Sequence, residues 1–225
     1  MSFGKSRLFW PPAVTVDAVV FTIQDGELKV LLVERASEPF QGYRALPGGF
    51  LVKNEPSQKA ISRILKEKAG IKGVYTEQLY TFDTIDRDPR GHTLTVSYFA
   101  LVSVSMLKIK GEERERPQLF SVKKLPKLAF DHKEIIEYAL GRLRAKLEYT
   151  NAVYSLLPRE FTMSQLQKTY EIVLDKKLDK RNFIKKFLSL GIVKEVPKKL
   201  SGPRRRPAQL YRFITQKPIE LKKFF

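Results

Sequence analysis

Residues 49–71 hold a regular grouping of chemically capable side chains: Gly49, Glu55, Arg63, Ile64, Glu67, Lys68 and Gly70. On a helix, positions 64, 67 and 68 stand three and four apart and share one face. Carboxylates at all three would hold a magnesium ion, which takes hard oxygen ligands, usually one or two carboxylates with phosphate and water. Here only Glu67 supplies an oxygen, and Glu55 could add another. Ile64 supplies none, and Lys68 adds an ammonium that would repel a cation on that face. The pattern argues against metal-dependent hydrolysis. An amphipathic helix alone explains the apolar stripe Ala60, Ile61, Ile64 and Leu65. It does not explain the flanking glycines or Arg63 at its spacing.

The same stretch resembles a Nudix box, whose pattern is Gly, five residues, Glu, seven residues, then Arg-Glu-aliphatic-any-Glu-Glu-any-Gly-aliphatic. Gly49, Glu55, Arg63, Leu65, Glu67, Gly70 and Ile71 keep it, and the preceding Leu46-Pro47-Gly48 fits. Ile64 and Lys68 replace two of the three clustered glutamates. In hydrolases of that family those carboxylates hold Mg²⁺ against a diphosphate. The resemblance therefore implies a surviving Nudix scaffold with no catalytic residue, its degenerate positions being Ile64, Glu67 and Lys68. It also implies that Arg63 organises the loop–helix motif rather than touching a ligand.

Composition narrows the alternatives. The chain has 225 residues, enough for one or two domains, and 43% hydrophobic content is enough for an ordinary core. No run of 18 apolar residues is present, so no transmembrane helix is expected, and Met1–Trp10 has no apolar signal core. The lack of cysteine excludes disulfides, cysteine nucleophiles and thiolate metal sites, and suits a cytoplasmic protein. With only His92 and His132, a histidine metal site is not expected. Residues 1–140 carry 21 Lys+Arg against 17 Asp+Glu, a balance of +4, whereas 141–225 carry 21 against 7, or +14. A basic C-terminal third on a nearly balanced body points to one part that meets a polyanion.

The elements that must position these residues follow from periodicity. Val14–Phe21 and Leu28–Val33 read as strands around an Asp25-Gly26 hairpin turn. Glu34–Tyr43 is a polar loop, and Glu55–Ala69 a helix stopped by Gly70. Val74–Phe82 and Thr93–Val104 form a further strand pair, and Gln118–Val122 a short strand. Asp131 is the expected N-cap of a helix to Lys146, with Ile135, Ile136, Ala139, Leu140 and Leu143 on its apolar side. Asp83, Asp86 and Asp88 read as an Asx-type turn rather than a metal cluster. His132 reads as structural, and His92 could line a pocket.

Beyond residue 147 the pattern changes. Tyr149–Leu157 reads as a short helix. Thr162 caps a second helix with Leu166, Thr169, Tyr170 and Val173 on one face, and Asp179 caps a third, Lys180–Leu190, stopped by Gly191. Ile192–Val196 and Leu210–Ile214 are strands around a basic loop, 197–207. Three short helices and a basic hairpin make a winged helix-turn-helix. On the third helix Phe183, Ile184, Phe187 and Leu188 fall on one side, and Asn182, Lys185, Lys186 and Ser189 on the other. Asn and Lys can read base edges, and Arg181, at the border, can bind phosphate. Arg204, Arg205 and Arg206 in the stiffened loop suit phosphate or minor-groove contact. Thr162, Gln165 and Lys180 complete the expected DNA-binding set.

Further motifs widen the resemblance: Gln78-Leu79-Tyr80-Thr81-Phe82 with Asp86–Gly91, Leu128-Ala129-Phe130-Asp131-His132, Leu166-Gln167, Tyr170-Glu171, Leu178–Phe183, and Arg206–Phe213. Over roughly residues 12 to 214 the chain resembles the Nudix-related transcriptional regulators. The resemblance implies an α/β Nudix-like sandwich over 1–146 that binds an effector, and a mainly α winged helix-turn-helix over 147–225. It implies a homodimeric repressor on double-stranded operator DNA, with no cofactor. In one branch the effector is ADP-ribose and the genes serve NAD metabolism; in another it is a pentose or sugar derivative. Binding a diphosphate and adenine without Mg²⁺ needs cations and aromatic faces. Arg35, Arg44, Arg87 and Arg90 are the expected cations, Phe50 and Phe82 the expected rings, and Lys68 the replacement for the metal. The rival readings are an active ADP-ribose hydrolase with a nucleic-acid module, and an RNA-binding module.

Overall fold

The computed structural model describes residues 11–107, 116–202 and 205–221, with backbone alone for 198–202 and 205–207. The first half is one mixed sheet. Strands β1 (Ala13–Gln24), β2 (Glu27–Glu34), β3 (Arg44–Ala45), β5 (Thr76–Phe82) and β6 (Thr93–Leu101) lie in the order β3-β2-β1-β6-β5. Strand β4 (Gly48–Phe50) also pairs with β1, and β7 (Gln118–Ser121) with β2. The β1–β2 hairpin closes on Asp25 and Gly26 with φ of 54° and 76°, the doubly left-handed turn that matches strand twist. Strand β1 runs parallel to β6 through nine paired positions and antiparallel to β2 and β4.

Alternation along β1 divides the core between two faces. Val16, Ala18 and Val20 pack with Ala60, Ile61, Ile64 and Leu65 of α1 (Ser57–Ala69). Full burial of each of the larger aliphatic side chains contributes about 1.5–3 kcal/mol. Gly70 ends α1 at φ 66°, its N–H bonded back to the Leu65 and Lys66 carbonyls. On the other face Val19 and Phe21 pack with Ile135, Ile136, Ala139 and Leu143 of α2 (His132–Tyr149). Asp131 sits at the N-cap position of α2 but caps nothing; its carboxylate is taken by Arg87. The helix also runs through the expected boundary at 146/147. What was read as one helix over 149–157 is its last residue followed by a 3₁₀ turn, Ala152–Leu156.

The second half contains α3 (Met163–Leu174), α4 (Lys180–Ser189) and a hairpin of β8 (Val193–Gly202) and β9 (Arg205–Phe213). Thr162 and Gln165 form a reciprocal capping box on α3, and Asp179 caps α4 through the Asn182 N–H at 2.8 Å. Between the helices, Glu171 accepts from the Leu178 N–H at 3.0 Å, while Gln167 Nε2 donates to the Leu178 carbonyl at 2.9 Å. These two side chains fix the turn. The hairpin strands are longer than expected, since pairing resumes at Lys199↔Gln209 after Val196↔Leu210. Pro197 falls in that irregularity, where a missing N–H costs no ladder bond. No helix of the described residues is long and apolar enough to cross a membrane.

The two halves share one core. Ile135, Leu143 and Leu147 of α2 belong to the same cluster as Val153, Leu166, Tyr170 and Phe187. Arg144 Nε donates to the Val173 carbonyl at 3.1 Å, capping the end of α3 from α2. Residues 217–221 fold back on this junction. The buried Asn151 donates Nδ2 to the Lys217 carbonyl at 3.1 Å and accepts the Ile219 N–H at 2.8 Å.

Candidate functional site

A cleft of about 240 Å³ is lined by Thr15 and Asp17 of the central strand β1 and by Arg35, Phe50, Lys68, Arg90, Phe130 and His132 among others. One water needs roughly 10–15 Å³ of such space, so the cleft holds far more than a single water. Close backbone approach makes its floor. A Cβ on Gly48 would lie 1.8 Å from Asp17 Oδ1, so only glycine lets β4 pass the Asp17 side chain.

The wall carries Arg35, Lys68, Arg87 and Arg90 against Asp17, Glu34 and Asp88, with the rings of Phe50 and Phe130. Arg35, at the end of β2, donates Nε to the Pro39 carbonyl at 2.7 Å and lies 4.7 Å from the Phe130 ring centroid. Arg90 lies 5.6 Å from the same ring and 5.4 Å from Phe50. Burial and then the charge of Arg90 hold the Arg35 pKa below its usual value. Arg90 is fixed by Asp88, which accepts Nε at 3.0 Å and Nη2 at 2.7 Å. Burial works against the Asp88 charge, but the Arg90 side-chain and backbone hydrogen bonds win and hold its pKa down. Lys68, in the last turn of α1, completes that side.

Beneath the cleft lies a polar layer. Arg87 is buried and grips Asp131 with two bonds of 2.8 and 2.7 Å, with Asp17 at 3.9 Å. His132 Nδ1 accepts the Leu46 N–H at 2.9 Å, which leaves the proton of the neutral ring on Nε2, 3.7 Å from Asp17 Oδ1. Burial pushes the His132 pKa below its ordinary 6.5. The folded state therefore keeps this ring neutral while the unfolded chain takes a proton, so stability is present above pH 6.5 and lost as pH falls below it. The melting temperature is expected to fall between about pH 7 and 5. His132→Asn, which can still accept the Leu46 N–H, should flatten that fall in thermal melts followed by circular dichroism.

The box residues do not assemble a cation site. Arg63 donates Nε and Nη2 to Glu55 at 2.9 and 2.8 Å, Nη1 to Glu67 at 3.3 Å, and Nη2 to the Phe50 carbonyl at 3.3 Å. Its hydrogen bond holds the Glu55 pKa low. Ile64 is buried, its Cδ1 3.3 Å from where a Gly49 Cβ would be. An apolar side chain thus packs where a ligand oxygen would be needed. Among the described residues no group of three or more His, Asp or Glu is placed to hold a metal ion. The donor set does not fit the magnesium of a Nudix hydrolase.

Of the residues expected to meet a ligand, Arg35, Phe50, Lys68, Arg87 and Arg90 line the cleft. The Arg87 guanidinium is already committed to Asp131. Arg44 and Phe82 do not line it. Arg44 turns to Glu34 at 3.1 Å and stands 5.4 Å from the Phe120 ring. Phe82 is buried against Tyr80 and Tyr138. His92 is exposed and outside the cleft. Sequence reasoning gave no role to Asp17 or Phe130. Phe130 was visible only as part of a motif; its φ of 53° aims the chain into α2 and its ring under two guanidiniums.

On the winged helix, Lys180, Arg181, Asn182, Lys185 and Lys186 are exposed along α4, while Phe183 and Phe187 are buried. Leu188, expected on the apolar side, is 42% exposed. The Thr162 and Gln165 side chains are engaged in the α3 cap. Arg204 and the side chains of Arg205 and Arg206 lie outside the described residues.

Comparison with known proteins places this geometry. The NUDIX domain family matches residues 11–139, and the NrtR DNA-binding winged helix domain family matches 153–213. The chain is 38% identical over 210 residues to the ADPR responsive transcriptional repressor NtrR of Acinetobacter baylyi, covering 91% of this chain and 83% of that protein. It is 38% identical over 133 residues to the ADP-ribose pyrophosphatase of Methanocaldococcus jannaschii, covering 59% of this chain and 76% of that protein. Shewanella oneidensis NrtR complexed with a 27mer DNA superposes with a TM-score of 0.80 at 35% identity, covering 89% of this chain and 93% of that one. The NUDIX domain of the same protein complexed with ADP ribose gives 0.55 at 39% identity, covering 60% and 90%. With a Nudix fold in its first half and an NrtR-type winged helix in its second, the chain belongs to the family of Nudix-domain transcriptional regulators.

Proposed function

We propose that this protein is a homodimeric repressor that binds operator DNA through its winged helix and releases it when ADP-ribose enters the cleft, so controlling genes of NAD metabolism. The observation that carries the reading is the cleft wall, where Arg35 and Arg90 flank the Phe130 ring with Lys68 in the same lining. Two guanidiniums and an ammonium offer a diphosphate charge-assisted bonds without a metal, and exposed Phe50 offers a face for adenine. A relative named as an ADPR responsive transcriptional repressor, and a similar protein solved with DNA and, in its NUDIX domain, with ADP ribose, support it.

Coupling requires the ligand to bind two conformations of the dimer with different affinity. Helix α2 is the transmitting element. His132 at its start lines the cleft, and Arg144 three turns later grips α3. A tilt of this rod would move α4 relative to its twofold mate, which must match half-sites set by the DNA helical repeat. Hydrolysis is not part of the proposal, since Ile64 and Lys68 remove the metal's ligands. The specific rival is ADP-ribose hydrolysis, favoured by the likeness of the first half to a pyrophosphatase.

Calorimetric titration with ADP-ribose, with and without Mg²⁺, followed by chromatography of the ligand, tests both. Binding that needs no Mg²⁺, with the ligand recovered intact, is expected. Recovery of ribose phosphate would establish the hydrolase, and absence of heat would overturn ADP-ribose in favour of a sugar-derived effector.

A further inference from the structure

Lys123, just beyond β7 in the sensor domain, forms an ion pair with Asp175, which ends α3 at a φ of 53° and opens the turn into α4. Both partners face solvent, their side chains 63% and 52% exposed. A pair so exposed contributes about 0–1 kcal/mol, and the halves are already joined by a shared core and by Arg144. The pair is therefore not needed to hold the domains together. Its effect is to bring a cation from the sensor domain to the helix-turn-helix turn, which carries exposed Lys177 and leads into exposed Lys180 and Arg181. A cleft of about 300 Å³ between the domains is lined there by Lys123, Arg144, Lys168 and Lys177. The same lining carries the acids Glu27, Glu171 and Asp175; Glu171 accepts the Leu178 N–H and stands 3.9 Å from Lys177 Nζ, while Asp179 accepts the Asn182 N–H. When a recognition helix lies in the major groove, the helix before it crosses the sugar–phosphate backbone. The turn at Asp175 leads to the N-terminal end of α4, the end that reaches base edges, so the backbone runs close to it.

We propose that Lys123 is a DNA-backbone contact supplied by the sensor domain, held on Asp175 until a phosphate takes that carboxylate's place. The proposal rests on the DNA-binding reading above. It extends the electrostatic footprint beyond the winged helix and makes the sensor domain a direct participant in DNA affinity.

Fluorescence anisotropy of the full chain on a labelled mixed-sequence duplex of about 30 base pairs, across a salt series, tests it without knowledge of the operator. Lys123→Gln should reduce the slope of log affinity against log salt by about 0.9, so that the loss of affinity between about 50 and 200 mM salt becomes roughly threefold smaller. Lys123→Arg should restore the slope, and Asp175→Asn, which removes the competing anion, should tighten binding. A purely structural pair would make Lys123→Gln and Asp175→Asn shift binding in the same direction, and that result would overturn the proposal, as would an unchanged slope in Lys123→Gln. Absence of wild-type binding would overturn the DNA-binding reading itself, and the proposal with it.

Discussion

Arg87→Met is expected to destabilise the protein by about 3–5 kcal/mol, the cost of breaking a buried ion pair by removing one partner. Arg87 is 4% exposed at its side chain and holds Asp131 at 2.7 Å, with Asp17 at 3.9 Å. Removing the guanidinium leaves Asp131 at the start of α2 and Asp17 under the cleft without their cation. The Asp131 carboxylate makes no cap bond to its own helix, so Arg87 is the side-chain partner it loses. Urea unfolding at neutral pH should show a lower midpoint with an unchanged slope. Converting the partner as well, in Arg87→Met/Asp131→Asn, should recover a substantial part of the loss, because no buried charge is then left unpaired at that position. A loss below about 1 kcal/mol in the single variant would mean that water or another cation serves these carboxylates, contrary to the geometry.

Lys68→Glu is expected to abolish the response to ADP-ribose while leaving the fold intact. Lys68 is only half-buried, at the end of a helix whose apolar stripe lies on other positions, so folding should be little affected. In the cleft the change replaces a charge-assisted donor with a like charge facing a diphosphate. A loss on the order of 3 kcal/mol, or roughly 150-fold in affinity, is expected. Titration calorimetry measures it directly, and circular dichroism checks the fold. Unchanged affinity would show that Arg35 and Arg90 hold the phosphates alone. The same variant bears on hydrolysis, which the proposed function leaves out. One added carboxylate should not confer it, because Ile64 still fills the neighbouring position and Glu55 remains bound to Arg63.

The parts of the fold written in neighbouring residues were legible. Asp25-Gly26 placed the hairpin turn, Gly70 ended α1, and Thr162 and Asp179 began their helices, because turn and cap geometry depend on a few consecutive residues. The winged helix could be recognised for the same reason. The wing was harder. Pro197 and a run of basic residues read as loop, yet a register shift lets both strands continue past it.

The cleft divided along similar lines. Arg35 and Arg44 flank one polar loop and look alike in sequence. Which of them faces the cleft is set by the pairing of Glu34 with Arg44 across β2 and β3, a contact the sequence does not announce. Phe82 was chosen for its ring, but β5 buries it under Tyr138 of α2, distant in sequence. Asp17 lies on β1 among apolar residues, and its importance follows from the close passage of Gly48. Phe130 needed its unusual backbone angle to be appreciated. In each case the deciding neighbour lies far along the chain.

The core shared by sheet, α2 and winged helix has a consequence for how such a chain could be dismantled or recombined. Leu147, Val153, Leu166 and Phe187 belong to one cluster with Phe21 and Ile135. Neither half can leave without exposing apolar surface that the other now covers. Melting should therefore be a single cooperative event rather than two in succession. A chimera that exchanged one half at the sequence boundary would inherit an unmatched interior. In this chain the sheet, α2 and the winged helix are expected to fold and melt as one unit.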